Sequence, residues 1–501
     1  MSRGVRLQAG ILLFLALYIS PTWATACDQL AAGSLFWVRL SAPVTSFKAK
    51  PGTPVKGFLL ESPECNNAAI FPTKTPIEGT VLSVHRVGLG LWHETASLEI
   101  GFSRISPDEG SPIEIKGRVK LVDNARETVR NGVIHGIRST DTPQGMISSR
   151  LKYLPSVHLY PDPYLLGYKM LFPIFPDPEI HLEPGADMQI ELVEAANLPS
   201  DLPAVQQIPA FDVNDELVHN LAGLPERTQT KKGKEADVVN IVFAGSREDL
   251  EQAFKTAGWH SSKATSTSTV MRGFYSYLSK SSYANAPMST QLMNGHKADL
   301  TLEDVFQSHE KRNHLRIWAL ENTWEGLPLW ASAAVRETGA TLSVRHHGFI
   351  HHVSEDLDEE QEAIVRDLAI AGCVDSVGLL HRPEMEHVVK NATGEYFRTN
   401  GSLEIIRVKP CASDSGEAGA GEKPSKDGSW AYRYLRKEIL TVRSDLFRAN
   451  CVYALFDLGR KTVGVLRQRS ARHEIGQEFR AETAQNNGES DKFPAFSAGL
   501  E

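Results

Sequence analysis

This chain of 501 residues has no excess of positive charge, few cysteines and few long apolar runs. Lysine and arginine number 53 against 61 aspartate and glutamate, giving a formal net charge of −8. The chain therefore has no basic excess to neutralise the phosphates of a nucleic acid, which excludes nucleic acid as a bulk electrostatic partner. After the N-terminus, no apolar stretch approaches the roughly 20 residues that a bilayer-spanning helix needs.

The short motifs of nucleophilic catalysis are also missing. The sequence contains no G-x-S-x-G and no Cys–His signature, and no spacing singles out one Ser–His pair. We therefore assign no catalytic residue and no cofactor-binding residue, and the sequence favours a binding or structural protein over an enzyme.

Residues 1–26 have the order of a secretory signal peptide. Arg3 and Arg6 supply the positive start, residues 9–19 supply a short apolar stretch, and residues 24–26 are a small-residue cleavage site. Eleven apolar residues are too few to span a bilayer as a helix. We expect an exported bacterial protein of the periplasm, the cell envelope or the exterior, with a short N-terminal membrane anchor as the alternative.

Five cysteines are present, and export permits disulfides. The odd number leaves at least one cysteine unpaired or modified. Cleavage after residue 26 would make Cys27 the first residue, in a context that resembles a bacterial lipoprotein site, so lipidation of Cys27 is one alternative. The other is a disulfide between Cys27 and Cys65, which we favour because both lie in one predicted domain.

Residues 28–200 have the pattern of an all-β domain. Apolar and polar residues alternate in several short runs, which is the period of a half-buried strand, and Pro-Gly, Ser-Pro and Asn-Gly turns separate them. The clearest runs are FWVRL (36–40), VKGFLL (55–60), GTVLSVHRV (79–87), ASLEIGF (96–102) and IEIKGRVKLV (113–122). This spacing predicts an antiparallel sandwich or barrel.

Residues 214–410 mix helix and strand signals, so the fold class of the whole chain is predicted to be α+β. VVNIVF (238–243) indicates a buried strand, and Ser246 with Asp249 indicates the capped start of a helix that Gly258 ends. HLRIWAL (314–320) and LPLWASAAV (327–335) indicate a hairpin, and LEIIRV (403–408) a closing strand.

In this order, the pieces of residues 214–410 resemble the LssY C-terminal domain family. The resemblance rests on LPERT (224–228), DVVNIVFAGS (237–246), AFKTAGWH (253–260), APMS (286–289), RNHLRIW (312–318), LWASAAVRETG (329–339) and FIHHVSEDLDEEQEAIVRDL (349–368). Family members often carry this domain on membrane proteins, beside lipid-phosphatase-like or other transmembrane domains. The resemblance implies a fold and an envelope context, and it brings no catalytic residue.

Four histidines lie within seven residues: His346, His347, His351 and His352. Alternation in a strand places them on two faces, so they cannot all bind one ion without a bulge. Asp356 and Asp358 follow and offer oxygen ligands. We therefore predict a divalent metal site, with zinc as the candidate ion, at His351, His352, Asp356 and Asp358 near the strand 312–316. The alternative is that Asp356 caps the following helix together with Glu359.

Arg312, His314 and Arg316 share one side of the strand 312–316 by the same alternation. They are candidates for an anion-binding face, and a solvated polar face of the sheet is the alternative.

The C-terminal part changes composition at residue 412. Residues 412–428 are rich in Gly, Ser and charge and predict a flexible linker. Residues 429–475 predict a basic helical tail, and residues 476–501 predict disorder. A basic amphipathic helix can lie on an anionic membrane surface, but docking onto the protein is the interpretation we favour. Peripheral membrane association through this tail or through a lipidated Cys27 stays open.

Three kinds of function remain. The first is an exported, non-catalytic module that binds an unidentified envelope partner, which we favour. The second is a metal-dependent hydrolase of phosphate or lipid-like substrates, and the third is a structural envelope protein. The spatial arrangement of residues 312–316 and 346–360 is the feature that would distinguish them most directly.

Overall fold

The computed structural model describes most of the chain between residues 28 and 448. The described ranges are 28–138 without 66–67, 108–109 and 125; 177–262 without 200–201, 203–204 and 206; 288–304; 312–343; 348–411 without 393; 428–448; and 459, 462 and 463. The predicted signal peptide, Cys27, the pair His346 and His347, nearly all of the predicted linker and the predicted disordered end lie outside them.

The first part of the described chain consists of fourteen strands. They are β1 (Gln29–Leu30), β2 (Leu35–Leu40), β3 (Val44–Thr45), β4 (Pro54–Leu59), β5 (Glu64–Cys65), β6 (Ala68–Ala69), β7 (Pro76–His85), β8 (Ser97–Ile105), β9 (Ile113–Val122), β10 (Thr128–Arg130), β11 (Val133–His135), β12 (His181–Leu182), β13 (Asp187–Leu192) and β14 (Ala196–Asn197). The five runs with the clearest alternation in the sequence correspond to β2, β4, β7, β8 and β9.

Six of these strands close into an antiparallel barrel. Hydrogen bonding follows the path β8-β7-β4-β2-β13-β9, and β9 pairs again with β8. In β9 nearly every second side chain is buried, so one set of residues fills the interior while the other meets solvent. The predicted sandwich or barrel is therefore a barrel, and its closure leaves these six strands without a free edge.

The second part forms a mixed sheet with helices. Its strands are β15 (Arg227–Thr230), β16 (Glu235–Val238), β17 (Ile241–Ala244), β18 (Trp259–Ser261), β19 (Gln291–Met293), β20 (His296–Lys297), β21 (Leu300–Asp304), β22 (Arg312–Trp324), β23 (Leu327–Ser343), β24 (Gly348–Val353), β25 (Val374–His381), β26 (Val388–Lys390), β27 (Tyr396–Arg398) and β28 (Ser402–Val408). The helices are α1 (Asp215–Leu221), α2 (Arg247–Thr256), α3 (Asp358–Ile370) and α4 (Trp430–Arg448).

The main sheet has the order β18-β21-β22-β23-β17-β28-β25, with β24 paired to β23. We call this sheet, together with the helices that pack on it, the second sheet. Helices α2 and α3 cover one face, where Leu250, Phe254, Ile364 and Leu368 are buried together. On the other face, residues of α1 pack beside Trp324. Overall the described chain is mostly β with these four helices.

Local signals placed several elements of the second sheet correctly. The Ser246 hydroxyl accepts a hydrogen bond from the Asp249 N–H at 3.0 Å, so the predicted cap of α2 is confirmed. Gly258 follows that helix with a φ of 92°, a conformation that favours glycine. The predicted strand 238–243 is instead divided, because β16 ends at Val238 and β17 begins at Ile241.

Helix α4 covers only part of the predicted helical tail at 429–475, so that prediction is not settled over its whole length. The predicted domain boundaries at 28–200 and 214–410 also stay predictions. No helix in the described ranges is both long enough and apolar enough to cross a bilayer.

Candidate functional site

The acids of the predicted metal site lie at the start of α3. The Asp356 carboxylate accepts hydrogen bonds from the N–H groups of Asp358 and Glu359, at 3.0 and 3.2 Å. The Asp358 carboxylate accepts from the Thr399 hydroxyl at 3.0 Å and from the Asn400 N–H at 2.8 Å. Asp356 therefore caps the helix, as the alternative interpretation expected, and Asp358 holds the turn before β28.

The two histidines of that prediction lie in β24. His351 and His352 are opposite Ala340 and Gly339 of β23, so β23 separates them from β22. Their side chains are outside the described part of the structure, and the metal site stays a prediction. Among the residues whose side chains are described, no three histidine, cysteine, aspartate or glutamate residues are arranged to hold a metal ion.

Two of the three candidate anion-binding residues are buried beside carboxylates. Arg316 Nη1 lies 2.8 Å from Asp237 Oδ2, and His314 Nε2 lies 3.3 Å from Glu337 Oε1. The side chain of Arg312 is outside the description. Because Arg316 and His314 already face carboxylates, an added anion would compete with Asp237 and Glu337. The anion-binding role stays a prediction.

One disulfide is present that sequence reasoning missed. Cys373 and Cys411 are bonded, with their Cα atoms 4.2 Å apart. Cys373 precedes β25 and Cys411 follows β28, and the register of these strands places Val374 opposite Val408. The helix stop at Gly372 and the end of the closing strand were the signals that could have paired them. Cys65 lies in β5, and its predicted partner Cys27 is outside the described residues.

A buried ionic cluster joins the barrel to the second sheet. We call it the seam cluster, and it comprises Arg39, Asp123 and Asp187 from the barrel with Asp304, Arg336, Glu360 and Asp367 from the second sheet. All seven side chains are largely buried, and Arg336 is the more exposed of the two arginines. The cluster thus contains five carboxyl groups and two guanidinium groups.

Arg39 is the central link of the seam cluster. Its guanidinium donates to both oxygens of Asp187, at 2.7 and 2.9 Å, and to Asp367 Oδ1 at 3.2 Å. Strand register accounts for the first contact, because Arg39 in β2 is directly opposite Asp187 in β13. Burial alone would lower the pKa of Arg39, but Asp187 and Asp367 together outweigh it and raise that pKa. Arg39 therefore stays charged while it bridges the two units.

Arg336 makes a second link. It projects from β23, donates a hydrogen bond to Asp123 of the barrel and lies 3.7 Å from Glu359 of α3. Asp367 also accepts from the Trp259 indole N–H at 3.4 Å, which fixes the acid on the side of the second sheet. Both arginines therefore contact carboxylates across the boundary, and each contact joins the two units.

Glu360 is the least compensated member of the seam cluster. It is 1% exposed, and neither carboxylate oxygen accepts a hydrogen bond from a described residue. Burial raises the pKa of Glu360 well above its ordinary value; Arg336 opposes this rise, and Asp367, Asp304 and Asp123 add smaller increases. The carboxyl consequently keeps its proton to a higher pH than an exposed glutamate does, which reduces repulsion among the five acids.

The seam cluster can stabilise an interface but is poorly suited to bind a ligand. Removing one partner of a buried ion pair leaves an uncompensated charge, which is strongly destabilising. The geometry therefore makes Arg39 and Arg336 structural links between the barrel and the second sheet. In the sequence nothing pointed to the pair Arg39 and Asp367, because they are separated by 328 positions.

A known protein family matches the part of the chain that contains the second sheet. Residues 221–403 match the family model of the LssY C-terminus. This part of the chain matches that family, and we call it the LssY C-terminal domain. The match lies inside the range 214–410 predicted from the sequence, and it includes Asp304, Arg336, Glu360 and Asp367. The domain therefore supplies four of the seven members of the seam cluster.

Other comparisons add little. No curated protein matches the chain. Among solved structures, ComB10 of the Com type IV secretion system of Helicobacter pylori matches 35% of this chain and 92% of its own length, with 11% sequence identity and a TM-score of 0.20. At that TM-score the likeness carries no argument about function.

Proposed function

We propose that the protein is an exported, non-catalytic module of the cell envelope, in which a β-barrel and an LssY C-terminal domain form one binding scaffold. Its partner is an envelope component that the sequence does not identify. The structural contacts of Asp356, Asp358 and Asp367 support this role over hydrolysis.

One observation carries the proposal: three aspartates at and near α3 of the LssY C-terminal domain are already committed to structural contacts. Asp356 caps α3, Asp358 holds the turn at 399–400, and Asp367 binds Arg39 of the barrel. A hydrolytic site needs polar groups that converge on a space where substrate can sit. These groups converge instead on the protein itself.

Export is supported by two independent features. The N-terminal residues have the order of a signal peptide. The disulfide Cys373–Cys411 suits an oxidising compartment, because disulfides persist outside the cytosol. N-terminal sequencing of the mature protein tests the proposal, and we expect a start at Cys27. A start at Met1 would contradict export, and an acylated Cys27 would replace the predicted Cys27–Cys65 disulfide by a lipid anchor.

The non-catalytic part is tested with the full chain, its metal content and its turnover of phosphate esters. We expect less than stoichiometric zinc, manganese or iron after purification, and no change in melting temperature with a chelator. Asp356→Ala should cost about 1 kcal/mol of stability through the lost cap and nothing else. Stoichiometric metal, with turnover abolished by His351→Ala and Asp356→Ala, would establish the metal-dependent hydrolase instead.

A further inference from the structure

Helix α4 turns back from the LssY C-terminal domain and lies against the barrel. Residues Tyr432, Arg436, Leu440 and Arg443 follow the spacing that places side chains on one face of a helix. This face meets the loop after β7 and the segment before β12. We call residues 88–91 and 177–180, together with Phe47, which follows β3 and contacts Tyr432, the α4 seat.

Arg436 makes the polar contact with the seat. Its Nη2 atom lies 2.6 Å from Asp177 Oδ1, and its Nη1 atom lies 3.6 Å from Glu179 Oε1. Glu179 is fully buried and is held in place by the Ser46 hydroxyl at 2.6 Å and the Gly88 N–H at 3.0 Å. The seat therefore presents two fixed acids to a single guanidinium group.

Leu440 makes the apolar contact. It is 1% exposed and belongs to the barrel core. A side chain at Gly90 would lie 2.5 Å from Leu440 Cδ2, so glycine is needed there for the helix to approach. The Arg443 guanidinium donates to the carbonyl oxygens of Gly90 and Leu91, at 3.2 and 2.9 Å. The seat thus contacts an arginine, a leucine four residues later and a second arginine.

Part of the described surface of α4 faces solvent. Trp430 is 73% exposed, and Tyr434 and Leu435 are about half exposed. Residues 412–427 connect the helix to the LssY C-terminal domain, and a connection of this length can reach about 55 Å when extended. A released helix would therefore stay tethered to the chain.

We propose that the α4 seat is a docking site for a basic amphipathic helix of a partner protein, and that α4 occupies the site until that partner displaces it. Charge complementarity and α4 itself define the occupant: a helix with arginine and leucine four residues apart, set against Asp177, Glu179 and an apolar hollow. The proposal deepens the binding role proposed above by giving that role a site.

The test uses the full chain and a fluorescein-labelled peptide of residues 428–448, followed by fluorescence anisotropy. In the chain variant Arg436→Ala with Leu440→Ala, the tethered helix competes poorly, so we expect the peptide to bind at least tenfold more tightly than to the wild-type chain. Trp430→Ala with Tyr434→Ala is the matched control, because these side chains face solvent, and it should behave as wild type.

A second variant of the full chain controls for misfolding of the double variant. It has a protease site inserted within 412–427 and keeps every native residue of α4. After cleavage, we expect excess labelled peptide to replace the native helix, whereas a peptide with Arg436→Ala should do so at least tenfold less well. The proposal fails if the peptide binds neither chain, or if the altered peptide replaces the helix equally well. Such a failure would leave the non-catalytic role intact, since metal content and turnover test that role separately.

Discussion

Two units pack against the outside of the barrel, and they do so in opposite ways. The LssY C-terminal domain is joined to it by the seam cluster, in which Arg39 and Arg336 form buried ion pairs across the boundary. Helix α4 is joined by one face, with Arg436 and Leu440 as its buried residues, and its exposed aromatic rings contribute nothing to the contact.

This difference suggests a permanent interface and a releasable one. Breaking the seam would leave charges of both signs in partly apolar surroundings, which is costly. Releasing α4 returns Asp177 and Arg436 to water, and the buried Glu179 keeps its hydrogen bonds to Ser46 and Gly88. The comparison therefore predicts a graded series of effects.

The largest effect is expected at Arg39. Arg39→Ala removes the guanidinium between Asp187 and Asp367 and leaves these carboxylates facing each other in a buried position. We expect the free energy of unfolding to fall by about 3–5 kcal/mol, measured by urea denaturation. Arg104→Ala is the matched control, because its 3.0 Å pair with Glu114 is exposed, and it should cost less than about 1 kcal/mol. Equal losses in the two variants would remove the special role of the seam.

The disulfide should have the next largest effect, confined to the LssY C-terminal domain. Cys373→Ser with Cys411→Ser frees a loop that the bond now closes over a separation of 38 residues. We expect a loss of about 2–4 kcal/mol in the transition of that domain. Tryptophan fluorescence during urea denaturation follows it, since Trp259 and Trp330 are buried there. An unchanged transition would show that the paired strands alone hold the two ends together.

Glu404 should make stability depend on pH. Burial and the nearby Glu362 raise the pKa of Glu404 from 4.5 to about 7. Between these values the folded chain holds a proton that the unfolded chain releases, so stability falls as pH rises through that window. Because water reaches part of the side chain, we expect a loss of about 2 kcal/mol. Glu404→Gln should show a smaller fall between pH 4.5 and 7.5 in urea denaturation, and an identical fall would contradict the assignment.

The smallest effect on overall stability is expected from α4. Arg436→Ala should lower the free energy of unfolding of the barrel by about 1–2 kcal/mol, because the helix can detach while Glu179 keeps its hydrogen bonds to Ser46 and Gly88. Circular dichroism and urea denaturation at matched pH measure this. A loss as large as that of Arg39→Ala would make α4 a permanent part of the barrel.

Local patterns in the sequence predicted most individual elements. Alternation located the barrel strands, and cap residues located α2, because both signals depend on neighbours within a few positions. The sequence did not decide whether the strands close into a barrel, since the pairing of β9 with both β8 and β13 depends on register between distant segments. The sequence therefore supported a sandwich and a barrel equally.

The polar sites were harder to predict for the same reason. Alternation correctly placed His314 and Arg316 on one strand side, but it gave no sign that both are buried. Their carboxylate partners Asp237 and Glu337 come from other strands. The seam cluster depends entirely on such distant pairs, so the sequence could offer its residues but not their arrangement.

Hydrogen exchange followed by mass spectrometry tests the contrast between the two interfaces most directly. Peptides from β2 and α3 report on the seam, and peptides from α4 report on its seat. Because local opening governs exchange, we expect α4 to exchange at least a hundredfold faster than β2 and α3, at a rate that Arg436→Ala raises further. If α4 exchanges as slowly as β2, the helix is a fixed part of the barrel and the contrast is wrong.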